Sequence, residues 1–487
     1  MLKKKRTWII LGIFGLIAAW WFAFHAGGGD PLFTIGKETT FVEGPVDKHG
    51  YIDYATALNQ ILSKGVTPKN NAQVLLVKAI GPRPEGGEMP SEFYRWLGID
   101  EPPKVGEYLL TQENFLKTEL KVTDYNQISA MTQEWSENAE IPWTANDSKE
   151  LVQWLKKNEK PLAVIAEAVK RTHLFNPLVA RAEKGERSLL IGVLIPIPQI
   201  CRQVAQALST RAMLSIGEKR FGEAWQDLLT CHRLGRLVGR GAKLIESLVR
   251  IALETMATTG SQVYLTHANL SREQVQSHLK DLESLQPMAS GADKVHLAER
   301  FMALDAVMHM DQSGPEVMKM GLFSSSDSLT GNVDWDPALR QINHWYDQMV
   351  AAYRTKDRHA FASKTAKIYK EIDDRRKDAV DRGLVTRMFT TRAGRGEGIG
   401  SILAALMLPA VDKIRDAEDR ASQEHQNLLL AFRLEMYRTD NDGQYPEKLT
   451  QLVPKYVKAI PPDIFDTSSP PIYRKTKNGY TLYSVGV

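Results

Sequence analysis

The sequence predicts a mainly α-helical protein: a single N-terminal transmembrane helix, an extracytoplasmic body of helical hairpins, and a small C-terminal α+β module with a β-hairpin. Three observations predict it. A basic tip precedes an uncharged apolar run near the N-terminus, apolar residues recur at helical spacing through the middle, and the chain closes on two short extended runs around Asn478-Gly479. On this reading the 487 residues fall into four segments. Residues 1–29 are a cytoplasmic tip and membrane anchor, and 30–121 a mixed, loop-rich region with short helices. Residues 122–393 are the helical body, and 394–487 a long helix with a short α+β tail.

The anchor is the first element. Lys3, Lys4, Lys5 and Arg6 precede Thr7–Phe24, which carries no charge. With His25 and Ala26 the run reaches about 20 residues, enough to cross a hydrocarbon core of about 30 Å. Trp8 at one end and Trp20 and Trp21 near the other suit the two membrane interfaces, so Trp8–Phe24 is the expected contact with the lipid bilayer. Four positive charges before the span place the N-terminus in the cytoplasm and the bulk outside. The rival reading is a cleaved signal peptide, which wants a shorter apolar core and a small-x-small site, and bulky Phe24 lies between Ala23 and Ala26.

Next comes the loop-rich region. Thr67-Pro68 reads as a helix start, an N-cap followed by Pro at the first helical position. Gly81 to Gly87, with two prolines, reads as a loop. In the helical body, Asp147 or Ser148 caps a helix whose Leu151, Trp154 and Leu155 share a face. Leu244, Leu248, Ile251 and Met256 form a second apolar stripe, and Val275, Leu279 and Leu282 a third. Pro196 and Pro198 read as a break. Ser313 to Asn332 and Gly394 to Gly400 read as gaps, the second followed by one helix from Ser401 to about Arg438.

Composition excludes some partners. A hydrophobic fraction of 43% and a charged fraction of 25% are those of an ordinary globular protein. The formal net charge of +4, from 62 basic and 58 acidic residues, lacks the concentrated basic patch of a nucleic-acid binder. Lys364 to Lys370 and Arg375 to Lys377 alternate with acids and read as a solvated helix face. Cys201 and Cys231 fall on successive helices joined near Gly217 to Gly222. Their offset is roughly 10 Å along an antiparallel pair at about 1.5 Å per residue. A disulfide needs Cα atoms within about 7 Å, so two buried free thiols are expected.

Two local patterns bring resemblances. Ile402 to Ala410, a long amphipathic helix, Tyr437, Asp440-Asn441-Asp442-Gly443-Gln444-Tyr445-Pro446, Pro461-Pro462-Asp463 and Tyr480 to Gly486 follow one another in the last segment. On these features Gly398–Val487 resembles the headpiece of bacterial type IV pilins and type II secretion pseudopilins, which implies a long helix followed by a small sheet. The apolar run is internal and too short to span a membrane, unlike a pilin's opening helix. Asp440 and Asp442 supply only two of the several oxygens calcium needs, so they read as a turn. Separately, Gly217 to Trp225 is similar to the hinge of a tetratricopeptide helix pair, with Gly217 and Ala224 as close-approach positions and Phe221 as a wedge. A solenoid needs at least three such units and one is present, so a single helical hairpin is expected. Anchor, helical body and tail together resemble a group of uncharacterised bacterial membrane-anchored envelope proteins. That resemblance implies an inner-membrane, single-pass location with the bulk periplasmic, and brings no activity.

Motifs for catalysis are scarce. There is no Gly-x-Ser-x-Gly, no phosphate-binding Gly-x4-Gly-Lys-Ser/Thr, no His-Glu-x-x-His and no Cys-x-x-Cys. Ser277-His278-Leu279-Lys280 lacks the partner motifs of a Ser-x-x-Lys enzyme and fits an amphipathic helix. Asp293, His296 and Glu299, and Asp305 with His309, share helix faces at metal-ligand spacing but have no matching Glu-x-x-His elsewhere. Glu134, Glu137 and Glu140 read as a wet face. No residue is singled out as catalytic, cofactor-binding or metal-ligating. The expectation is a non-catalytic, membrane-anchored envelope interaction or scaffold protein, with the lipid bilayer and another envelope protein as partners and no nucleic acid. The alternatives are a component of a pilin-like or type II secretion-related assembly, and an envelope hydrolase with an unfamiliar site.

Overall fold

A computed structural model of the chain describes residues 32–84, 87–179, 190–193, 196–313, 333–381, 391–408 and 411–486. They form a mainly helical protein with one small antiparallel sheet. Among the described residues no helix is long and apolar enough to cross a membrane. The expected span Trp8–Phe24 lies outside the described residues, as does most of the Ser313 to Asn332 gap. The described residues divide into two compact units, each gathered from three stretches of chain. One draws on Met1–Ile61, Ala180–Val193 and Ala292–Asp412, the other on Leu62–Val179, Leu194–Gly291 and Lys413–Val487.

The second unit is built on three consecutive helices, Pro196–Gly217, Phe221–Val238 and Leu244–His267, which pack on one another. Pro196 and Pro198 open the first of these helices rather than breaking one. Proline lacks only an N–H that the first turn would leave unused. The turn after it runs through Lys219, whose φ is +61°. Gly217 is needed for a reason other than the helix approach expected: a Cβ there would stand 2.0 Å from the Trp143 carbonyl oxygen. Trp143 is held at that place by its indole N–H, which donates to the Thr210 carbonyl at 3.1 Å. Leu428 and Phe432, from the long helix Val411–Asp440, complete a core with Trp225, Leu228, Leu253 and Ala257.

Several local expectations hold in this unit. Ser148 caps Lys149–Lys157, whose buried residues are Leu151, Trp154 and Leu155. Val275, Leu279 and Leu282 are the buried face of Arg272–Glu283. Glu134, Glu137 and Glu140 are exposed. Cys201 and Cys231 are free and buried. Thr67-Pro68, by contrast, heads a turn, with the Thr67 N–H donating to Asn70 Oδ1 at 2.7 Å. The helix starts at Ala72, because Asn71 offers the better cap: its side chain accepts from the Gln73 N–H.

The stripe of Leu244, Leu248, Ile251 and Met256 is corrected. Leu244–His267 buries Leu244, Val249, Leu253 and Ala257, while Leu248 is exposed. Beside that apolar face it buries Ser247, Arg250, Glu254, Thr258 and Ser261. Partners on the neighbouring helices, described below, make this polar face the inner one.

At the C-terminus, Gly443 (φ +78°) turns the chain after Asp440, its N–H donating to the Arg438 carbonyl at 3.0 Å. Strand β1, Ile472–Thr476, pairs antiparallel with β2, Gly479–Tyr483. Thr476 pairs with Gly479, so Lys477-Asn478 make the turn, one residue earlier than Asn478-Gly479. Tyr445, Tyr473 and Tyr480 pack with Leu430, Leu434, Leu449 and Leu452 into a satellite core between helix and hairpin.

The first unit packs Asp336–Tyr353 against Arg392–Met407, Arg358–Asp381 and Arg300–Ser313. Gly394 to Gly400, expected as a gap, lies inside the helix Arg392–Met407. A Cβ on Gly396 would stand 2.0 Å from the Asp334 carbonyl oxygen, and one on Gly400 2.9 Å from Ala338 Cα. The glycines let two backbones meet, and that packing outweighs a helix penalty of about 1 kcal/mol for each glycine. The single helix expected from Ser401 to Arg438 is instead two, since Arg392–Met407 ends at a Leu408 cap, just before Pro409. Lys367–Glu371, Lys370–Asp374 and Lys377–Asp373 make i,i+4 pairs on the solvated face of Arg358–Asp381.

Candidate functional site

The polar face of Leu244–His267 meets polar residues of two other helices inside the second unit. His232 and Arg236 lie one turn apart on Phe221–Val238, and Glu418 and His425 two turns apart on Val411–Asp440. Small residues make the space. A Cβ on Gly235 would come within 3.2 Å of Glu254 Oε1, and one on Gly239 within 2.3 Å of Arg250 Cδ.

His232 and Glu254 are fully buried. Nδ1 of His232 stands 3.3 Å from Glu254 Oε2, and its Nε2 3.2 Å from Ser261 Oγ. The single Ser261 hydroxyl proton goes to the Ala257 carbonyl oxygen, 2.8 Å away. Both ring nitrogens of His232 are thus engaged, Nδ1 by a carboxylate and Nε2 by a hydroxyl. Arg236 Nε stands 2.8 Å from the other oxygen, Oε1, off the N–H axis: an ion pair rather than a hydrogen bond. One turn earlier Arg250 pairs with Glu418 at 3.3 Å.

His425 completes the group. Its ring lies edge-on to that of His232, with centroids 6.3 Å apart. Its Nδ1 is buried and has no hydrogen-bond partner among the described residues. Burial, reinforced by the charge of Arg236, pushes His425 down to about 3, so the ring is neutral at physiological pH. Burial alone would raise the Glu254 carboxyl. The hydrogen bond to His232 and the Arg236 charge outweigh it and hold Glu254 below its ordinary value, ionised. One ligand atom from each of His232, Glu254 and His425 lies within 4.8 Å of the other two, close enough to share one metal ion.

The side chains weighed from sequence do not gather in this way. Asp293 is an exposed partner of Arg354, at 3.1 Å, and His296 lies edge-on to Phe41. Asp305 accepts from the Leu190 N–H at 2.8 Å. His278 stacks on Trp225 with centroids 4.3 Å apart and meets the Tyr264 hydroxyl at 3.1 Å, while Ser277 is exposed. Asp440 is held by Arg272, Lys455 and Tyr456, which leaves it committed to structure.

Sequence reasoning missed His232, Glu254 and His425, which come from two consecutive helices and a third, Val411–Asp440, far beyond them in the chain. A usable signal was present on one of them. Ser247, Arg250, Glu254, Thr258 and Ser261 repeat every three or four residues, a polar stripe as regular as the apolar one. No family model, curated protein or solved structure matches the chain.

Proposed function

We propose that this protein is a non-catalytic interaction scaffold of the bacterial envelope, anchored in the inner membrane by Trp8–Phe24 with its bulk periplasmic. Lys3 to Arg6 before an uncharged run support the anchor and its orientation. One observation favours a scaffold over an assembling pilin-like tail. The apolar face of the long helix is already taken: Leu428 and Phe432 are fully buried in the helical core of the same unit. A helix spent on its own core has no such face left to pack against neighbouring subunits.

The second reading, a component of a pilin-like or type II secretion-related assembly, draws on the long helix followed by a β-hairpin packed on its C-terminal turns. In-cell crosslinking of the full chain, followed by identification of the captured proteins, separates the two. A defined envelope partner outside secretion machinery is the expected outcome. Capture of secretion components favours the second reading. A reporter fused after Val487 that is active only in the cytosol overturns both.

A further inference from the structure

We infer that His232, Glu254 and His425 form a binding site for one divalent transition-metal ion of the zinc class, with Ser261 and Arg236 as positioning residues. The inference is independent of the envelope reading. The convergence of three ligand side chains from three helices carries it: one ligand atom from each lies within 4.8 Å of the other two. His232 Nδ1 stands 3.3 Å from Glu254 Oε2, and the buried His425 Nδ1 has no hydrogen-bond partner among the described residues.

Two imidazoles and a carboxylate are a recognised zinc ligand set, the one that leaves a fourth position open. Zinc–ligand distances of about 2.0–2.2 Å put neighbouring ligand atoms about 3.3 Å apart in a tetrahedron. His232 and Glu254 already meet that spacing. His425, within 4.8 Å, has to close by about 1.5 Å at most, a side-chain rotation. The outer sphere is also in place. Ser261 Oγ stands 3.2 Å from His232 Nε2 and Arg236 Nε 2.8 Å from the second oxygen of Glu254, the places that outer-sphere partners of metal ligands take. With Arg236 beside a single ligand carboxylate, the loaded centre carries excess positive charge, which an anionic fourth ligand such as hydroxide offsets.

The test is a titration of the full-length protein, detergent-solubilised and stripped with chelator, with Co(II) and then Zn(II) in competition. The expected result is one cobalt per chain with the strong visible absorption of a four-coordinate ion, displaced by zinc. Loss of an outer-sphere partner typically costs 10- to 100-fold in metal affinity, so Ser261→Ala weakens binding by about that factor and alters the cobalt spectrum. Loss of a ligand in His425→Ala costs more than about 100-fold. His425→Cys retains binding and adds a thiolate-to-cobalt charge-transfer band, a gain that a misfolded variant cannot show. Absence of stoichiometric binding by the wild type overturns the proposal. So does equal binding by wild type and His425→Ala.

Discussion

Arg236 and Glu254 face each other at 2.8 Å in the interior of a helical bundle, with side chains 5% and 2% exposed. Removing one partner of such a pair strands the other charge in a low-dielectric core, at a cost of about 3–5 kcal/mol. Glu254→Leu alone is therefore expected to lose about that much stability. Arg236→Met combined with Glu254→Leu recovers most of the loss, because neither charge is left behind. Urea denaturation of the two single variants and the double variant measures the coupling. Strictly additive losses refute it.

Gly396 gives a prediction whose sign runs against helix propensity. Ala at a helix interior normally gains about 1 kcal/mol over Gly. Here the added Cβ would stand 2.0 Å from the Asp334 carbonyl oxygen, which is backbone and cannot swing away. Overpacking of this kind costs about 1–3 kcal/mol. Gly396→Ala is thus expected to lower the melting temperature, and a rise would show that the two helices can separate freely.

Asp440 ties three parts of the second unit together. Its carboxylate accepts from Lys455 Nζ at 2.7 Å, Arg272 Nε at 2.6 Å and the Tyr456 hydroxyl at 2.9 Å. The hydrogen bond from Lys455, then those from Arg272 and Tyr456, hold its pKa down to about 2, against an ordinary 3.8. A depressed carboxyl contributes stability that is complete above the unfolded value and is lost as pH falls toward the folded one. The gap in urea midpoint between wild type and Asp440→Asn is expected to be constant from pH 7 to pH 5 and to narrow below pH 4. A gap unchanged at pH 3 contradicts the assignment.

The two cysteines are expected to be silent in the folded protein. Burial pushes the thiols of Cys201 and Cys231 far above their ordinary value, so neither supplies thiolate at neutral pH. Alkylation followed by mass spectrometry should find no adduct under native conditions and two per chain in denaturant. A native adduct on either cysteine argues against the packing of the first two helices of the bundle.

Elements set by their immediate neighbours were legible in the sequence. Ser148 with Leu151, Trp154 and Leu155 contains both the cap and the apolar face of one short helix, and Gly443 the turn that ends another. The hairpin was legible to within one residue. Its register depends on which cross-strand pairs form, and Thr476 opposite Gly479 moved the turn to Lys477-Asn478.

Elements whose conformation depends on a distant backbone were not legible. Gly396 and Gly400 look like a linker until Asp334 and Ala338 are brought against them, whereupon glycine becomes the residue that lets a helix fit. The stripe through Leu248 looks like a buried face until Arg236, Glu418 and His425 surround the other side of that helix.

The sequence by itself determined a helical protein, the ends of its best-capped helices and the buried face of Val275, Leu279 and Leu282, because capping and hydrophobic periodicity act within a few residues. Only the tertiary structure decided which side of Leu244–His267 faces inward and that His232, Glu254 and His425 meet. Burying charged and polar groups is favourable only when partners from other helices satisfy them, and spacing along one helix does not reveal those partners.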